Sequence, residues 1–168
     1  GVSLMNDCKY GHDVHDNVIR LSLLRSPVSP DPRADEGRHQ FTYSLYPHCG
    51  DWRSGETVQR AYELNCPLIA APSEPQHGKL PESASLVSLD RGNVIIDAIK
   101  KAEDSDDFII RVYEAHGQRG NVTMTFALPP ERVAECNLME EGDRRLDVKG
   151  ESVSFYIKPY EIRTFKVR

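Results

Sequence analysis

Four short stretches hold residue types that can do chemistry. They are "LMNDCKYGHDV" (Leu4–Val14), "HDVHD" (His12–Asp16), "LYPHCGDWRSG" (Leu45–Gly55) and "RVYEAHG" (Arg111–Gly117). In the first, a carboxylate at Asp7 and an ammonium at Lys9 stand two residues apart, with the Tyr10 phenol beside them and Gly11 permitting a tight turn. An acid and an amine at that spacing can hold hydroxyl groups through charge-assisted hydrogen bonds. Cys8, between them, has no histidine partner fixed beside it and is a poor nucleophile candidate. In the second stretch, two imidazoles and two carboxylates within five residues supply lone pairs for a divalent cation. A metal site needs ligands converging from more than one element, however, and this run sits on one strand-to-strand turn. It reads as a solvated hairpin tip.

The third stretch carries the only tryptophan, Trp52, flanked by Asp51 and Arg53. An indole with charged neighbours can stack on the apolar C–H face of a sugar while the charges take its hydroxyls. The competing reading is that Trp52 plugs the end of a sandwich. In the fourth stretch Glu114 and His116 are two apart and share a strand face, a geometry suited to general acid–base work. No nucleophile or third group accompanies them, so a structural use is the stronger reading.

The elements that must position these residues are strands. Val122, Met124, Phe126 and Leu128 alternate with polar or small neighbours, as do Val153, Phe155 and Ile157, while Phe108, Ile110 and Val112 alternate with Ile109, Arg111 and Tyr113. Further strands are expected at Val2–Met5, Asn17–Leu24, Gln40–Tyr46, Tyr62–Ala70, Ser85–Leu89, Val94–Lys100, Glu135–Leu138 and Ile162–Val167. Gly, Asn and Asp between them (90–93, 103–106, 117–120 and 148–150) supply hairpin turn chemistry. One short helix is expected after a Ser54 cap, with Val58, Ala61 and Tyr62 on one face and Asn65 and Pro67 ending it. The fold class is therefore all-β, an antiparallel β-sandwich. Ser26–Gln40 has three prolines and few apolar residues and reads as a surface loop. The Pro- and Gly-rich run after residue 72 divides the chain into a first part, 1–72, a linker, 73–83, and a second sandwich, 84–168.

Composition narrows the function classes. With 168 residues, 39% hydrophobic and 28% charged, the chain has the balance of a globular protein with a real core. A net charge of −5 argues against nucleic acid or an anionic membrane as partner. Neither a long apolar run nor a basic-then-apolar leader is present. Cys8, Cys49, Cys66 and Cys136 lack CxxC spacing, and reduced thiols in a cytoplasmic protein are expected. The Asn121-Val122-Thr123 sequon lies inside a strand pattern and carries little weight. A first residue of Gly1 suggests a processed product or a piece of a longer protein.

Several long blocks carry a resemblance. "GVSLMNDCKYGHDV", "IRLSLLRSP", "PDPRADEGRHQFTYSLYPHCGDWRSG", "AYELNCPL", "RVYEAHG" and "YEIRTFKVR" are similar, in this order, to the C-terminal region of family 38 α-mannosidases of the cytosolic and vacuolar branch. The resemblance implies a retaining exo-mannosidase acting on terminal α-linked mannose of oligosaccharides, with zinc and the nucleophile in an upstream catalytic domain that would be this chain's partner. It implies no catalytic residue, metal ligand or cofactor in the chain itself. The first part becomes the end of a large mutarotase-like supersandwich, and the second the small C-terminal β-sandwich. Retaining chemistry needs two carboxylates about 5 Å apart and stabilisation of an oxocarbenium-like state. Asp7, Lys9 and Tyr10 would then be sugar-hydroxyl ligands at the cleft rim, with Trp52 a further substrate-binding candidate. His12 stands where relatives tend to carry tyrosine, so it inherits no ligand role. Two rivals belong to other classes: a free-standing carbohydrate-binding module built on Trp52, and an adhesion-type sandwich. An open sheet edge is expected to favour homo-oligomers.

Overall fold

The computed structural model describes residues 1–75, 77–78 and 81–168, which divide into two compact units, Gly1–Glu74 and Pro75–Arg168.

The first unit holds two small antiparallel sheets and a helix. Strand β1 (Val2–Asn6) pairs with β4 (Tyr43–Pro47), and β2 (His12–His15) forms a hairpin with β3 (Val18–Leu21) around Asp16, which takes a left-handed φ of 51°. Alternate β1 residues Ser3 and Met5 point inward, since Ser3 Oγ lies 2.7 Å from Thr57 Oγ1 on helix α1 (Thr57–Asn65) and 3.0 Å from His48 Nε2. The opposite face of the sheet pairs Leu4 with Leu45 and Asn6 with Tyr43, and leaves Val2, Tyr43 and Leu45 largely exposed. A two-stranded sheet with an apolar face open to solvent has little stability of its own.

Helix α1 corrects two expectations. Ser54 does not cap it; Asp51 takes the Ser54 amide (2.9 Å) and hydroxyl, and the helix starts at Thr57 after Glu56 turns left-handed at φ 53°. The strand expected over Tyr62–Ala70 does not form. Tyr62–Asn65 complete the helix, Pro67 cannot extend it, and Leu68 and Ile69 stand fully exposed in irregular chain. Arg60 steadies the exposed side by pairing with Glu56 and Glu63.

The second unit is a two-layer antiparallel sandwich. In chain order it contains β5 (Val87–Leu89), β6 (Val94–Lys101), β7 (Phe108–Glu114), β8 (Gly120–Phe126), β9 (Val133–Cys136), β10 (Arg144–Arg145), β11 (Val148–Lys149), β12 (Ser152–Ile157) and β13 (Ile162–Val167). One layer runs β10-β9-β13-β7-β6, the other β11-β12-β8-β5. The period-two pattern delivers the core: Val122, Met124 and Phe126 from β8 and Val153, Phe155 and Ile157 from β12 face Ile110, Val112, Phe165 and Val167 from β7 and β13. Phe155 and Phe165 meet across the layers with centroids 4.7 Å apart at 47°.

Turn chemistry foretold where the chain bends but not which layer it enters. Segments 90–93 and 117–120 are not hairpins. They carry the chain from β5 to β6 and from β7 to β8, that is, between layers. Only 103–106, with 107 beside it, and the Gly150 turn at φ 61° join neighbours within a sheet. The strand expected at Glu135–Leu138 runs from Val133 to Cys136: Val133 and Ala134 already pair with β13, and Leu138 folds back with the 137–142 turn, where Asn137 accepts the amides of Met139 and Glu141.

Candidate functional site

The "NDCKYG" stretch leaves β1 as a tied loop. Asn6 Oδ1 accepts the Lys9 amide at 2.5 Å, closing a turn over 6–9. The Asp7 amide donates to the Thr42 carbonyl at 3.2 Å, and the Thr42 amide donates back to both Asp7 carboxylate oxygens at 3.0 Å. The ladder between β1 and β4 is thereby extended by a side chain. From the helix, Asn65 Nδ2 donates to the Asn6 carbonyl (3.2 Å) and to that of Ala61 (2.9 Å), fixing the root of the loop. Gly11 closes the far side, its carbonyl taking the Ser22 amide at 2.8 Å.

Around this loop Asn6, Asp7, Cys8, Lys9, Tyr10, His12 and Asn65 line a polar recess of about 360 Å³. The structure thus brings Asp7, Lys9 and Tyr10 together. It adds Asn6, His12 and Asn65, which the sequence reading had not placed there; the Asn65 contribution depends on how α1 lies on β1, and nothing local encodes that. Tyr10 is 94% exposed, so its ring projects freely. Lys9 Nζ stands 4.7 Å over the Phe41 ring, and Lys9 also lines a neighbouring recess of about 610 Å³ with Ser22, Arg25, Asp35 and His39. Trp52 is not among the lining residues of either recess. Its ring lies on the turn after Asp51 with the Arg53 guanidinium 4.4 Å from its centroid, one face covered by a cation.

The Thr42 amide, helped by the Cys8 side chain, holds the Asp7 carboxyl below its ordinary value, so Asp7 is an anion and a pure acceptor at neutral pH. The same hydrogen bond to Asp7 pushes the Cys8 thiol up, away from thiolate chemistry. All four cysteines are free.

A zinc ion of the kind the family resemblance implies for its catalytic domain does not fit these residues. Among the described residues no group of three His, Cys, Asp or Glu side chains converges. "HDVHD" runs along β2 with its groups engaged singly: His12 near Asn6 and the Tyr10 carbonyl, Asp13 with Arg20, His15 with Asp16. Alternation along β2 sets His12 on one face and Asp13 and His15 on the other, with Asp16 in the turn beyond, and no third ligand joins either face among the described residues.

Glu114 and His116 do not form an acid–base pair. The Glu114 carboxylate is 1% exposed and takes Asn93 Nδ2 (2.8 Å) and the amides of His116 (2.8 Å), Gly117 (2.7 Å) and Tyr160 (3.0 Å). Burial pushes its pKa up, but these donors outweigh burial and lower it from 4.5 to about 2. Each donor belongs to one of the three segments crossing between layers at this end of the sandwich, 90–93, 115–119 and 158–161. Glu114 is a structural clamp.

Fold and site together define an all-β domain pair with a tied polar recess in its first unit. The family model described as "Glycosyl hydrolases family 38 C-terminal beta sandwich domain" matches residues 93–165, and "Glycosyl hydrolases family 38 C-terminal domain" matches residues 1–33. The chain is 36% identical over 170 residues to alpha-mannosidase 2C1 of Mus musculus, covering 98% of this chain and 16% of that protein. It is 37% identical over 172 residues to alpha-mannosidase G of Dictyostelium discoideum (99% and 16%), and 33% over 190 residues to an alpha-mannosidase of Saccharomyces cerevisiae (99% and 17%). The chain belongs to glycosyl hydrolase family 38 and corresponds to its C-terminal region. It spans 16–17% of the length of these curated relatives.

Proposed function

We propose that this chain is the C-terminal β-region of a cytoplasmic, retaining α-mannosidase, and that it scaffolds and completes the rim of a cleft whose zinc, nucleophile and acid lie upstream. The substrate is a terminal α-linked mannose on an oligosaccharide. The observation that carries the reading is the "NDCKYG" recess. An anionic Asp7, an amine at Lys9 and a projecting Tyr10 are held by ties to β4 and α1, inside the segment matched by the family's C-terminal model. Fixed acceptors and donors around a small polar hollow suit sugar hydroxyls. The exposed apolar face of the β1–β4 sheet suits a larger supersandwich of which this unit is the end. Trp52, backed by Arg53, adds a stacking surface farther along the same unit. Among the described residues no helix is long and apolar enough to cross a membrane.

On this reading the chain alone is inactive. An aryl α-mannoside assay with added zinc should give no turnover from the 168-residue chain, while the full-length gene product turns over. In that full-length protein Tyr10→Ala and Asp7→Asn should raise KM more than they lower kcat, because hydroxyl ligands at the rim bind without reacting. Robust turnover by the isolated chain, or KM unchanged in both variants, defeats the proposal.

A further inference from the structure

The end of the second unit opposite Glu114 is open. Strand β5 is three residues long, so the inner face of the other layer continues past it at Ile99 and Phe108. These two, with Leu86, Phe126, Leu128 and Pro129, line an apolar groove of about 470 Å³. Its walls stand out from the surface: Leu86 is 81% exposed, Leu128 79% and Phe108 57%. At Glu131 and Arg168 the groove passes into a charged recess of about 490 Å³ edged by Arg145 and Asp147.

An apolar strip followed by a charged margin is how protein interfaces are built. Patches of this kind are covered in the working molecule. A small ligand pocket instead encloses most of its ligand, and a free amphiphile lying here would leave Leu86 and Leu128 in water. A folded surface covers both. The relatives supply a candidate, since the match takes in nearly all of this chain yet leaves more than four-fifths of each of those polypeptides outside it.

We infer that this groove seats a folded surface of the remaining part of the same gene product, which inserts an apolar side chain between Phe108 and Leu128. The inference rests on the α-mannosidase reading above and deepens it by naming the docking surface.

Hydroxyl-radical footprinting of the full-length gene product beside the 168-residue chain tests it, with aryl α-mannoside turnover measured on the same samples. Leu86, Phe108 and Leu128 should be oxidised at least about tenfold more slowly in the full-length protein, as in a desolvated interface core. Leu128→Asp in the full-length protein should restore labelling of Leu86 and Phe108. Leu128 lies outside the sandwich core, so the variant keeps its fold, as a circular dichroism melt would verify. Turnover with equal labelling in both proteins overturns the docking surface alone. Absence of turnover in the full-length protein overturns the parent reading and this one with it. Protection that appears in the isolated chain as its concentration rises assigns the groove to a second copy, and protection lost on delipidation assigns it to a small amphiphile. Either result overturns the inference.

Discussion

Replacing Glu114 with glutamine changes one atom and should uncouple the two layers of the sandwich. In the wild type each carboxylate oxygen takes two donors: Oε1 those of Asn93 and His116, Oε2 those of Gly117 and Tyr160. Whichever way a glutamine amide is turned, its NH2 faces two N–H groups and leaves them unmet in a buried site. The charge can be sized separately. Lowering the carboxyl from 4.5 to about 2 corresponds to roughly 3 kcal/mol at 1.36 kcal/mol per pH unit. Because the folded pKa is the lower one, that stability is fully present above about pH 4.5 and is lost as pH falls towards 2. Glu114→Gln should therefore cost about 3 kcal/mol at pH 7, a fall in Tm of roughly 12–24 °C for a domain of this size. Most of the gap should close by pH 2. Urea melts of wild type and variant, followed by circular dichroism at several pH values, measure both quantities. A loss below about 1 kcal/mol at pH 7, or a gap that is the same at pH 7 and pH 2.5, would refute the clamp.

Phe165→Ala removes a fully buried ring packed at a tilt against Phe155 and should cost about 3–5 kcal/mol in the same urea assay. A methyl group at Gly55 would lie 2.5 Å from His48 Cγ and push that ring off Ser3, so Gly55→Ala should destabilise the first unit by about 1–3 kcal/mol. The readout is faster amide exchange along α1. Tyr10→Ala should leave the melting of the chain within about 0.5 kcal/mol, because that ring is exposed. Asp7→Ala should lower the protection factor of the Thr42 amide, which loses its acceptor, and acidification through the Asp7 pKa should lower that factor in the wild type too.

Much of the second unit was legible because its strands obey one rule. In β8 and β12 every alternate side chain enters the core, and alternation in the residues maps directly onto alternation in space. Strand β7 departs from that rule. Ile109 points to the outer face yet is fully buried, in a row with Lys100, Lys166 and Ala134, because the 137–142 turn folds over this face and Glu140 reaches back to Lys100. Phe108, on the inner side, is more than half exposed because β5 is too short to cover it. Neither fact is local, so periodicity could not report it. The same holds for the recess. Asp7, Lys9 and Tyr10 were conspicuous as types, whereas Asn65 joins them only because Ser3 and Thr57 dock the helix on β1. The Tyr62–Ala70 expectation failed differently: its composition suits a strand, but Tyr62 and Asn65 had already been claimed by helical hydrogen bonds.

Strand β13 lies between β7 and β9, so the five-stranded layer has a gap at its middle until Ile162–Val167 are in place. During synthesis β6, β7 and β9 therefore wait with apolar faces and unpaired edges until β13 emerges from the ribosome. A stop codon before Ile162 would remove the middle strand of this layer. It would strand a nearly finished sandwich in a form suited to aggregation and to capture by chaperones.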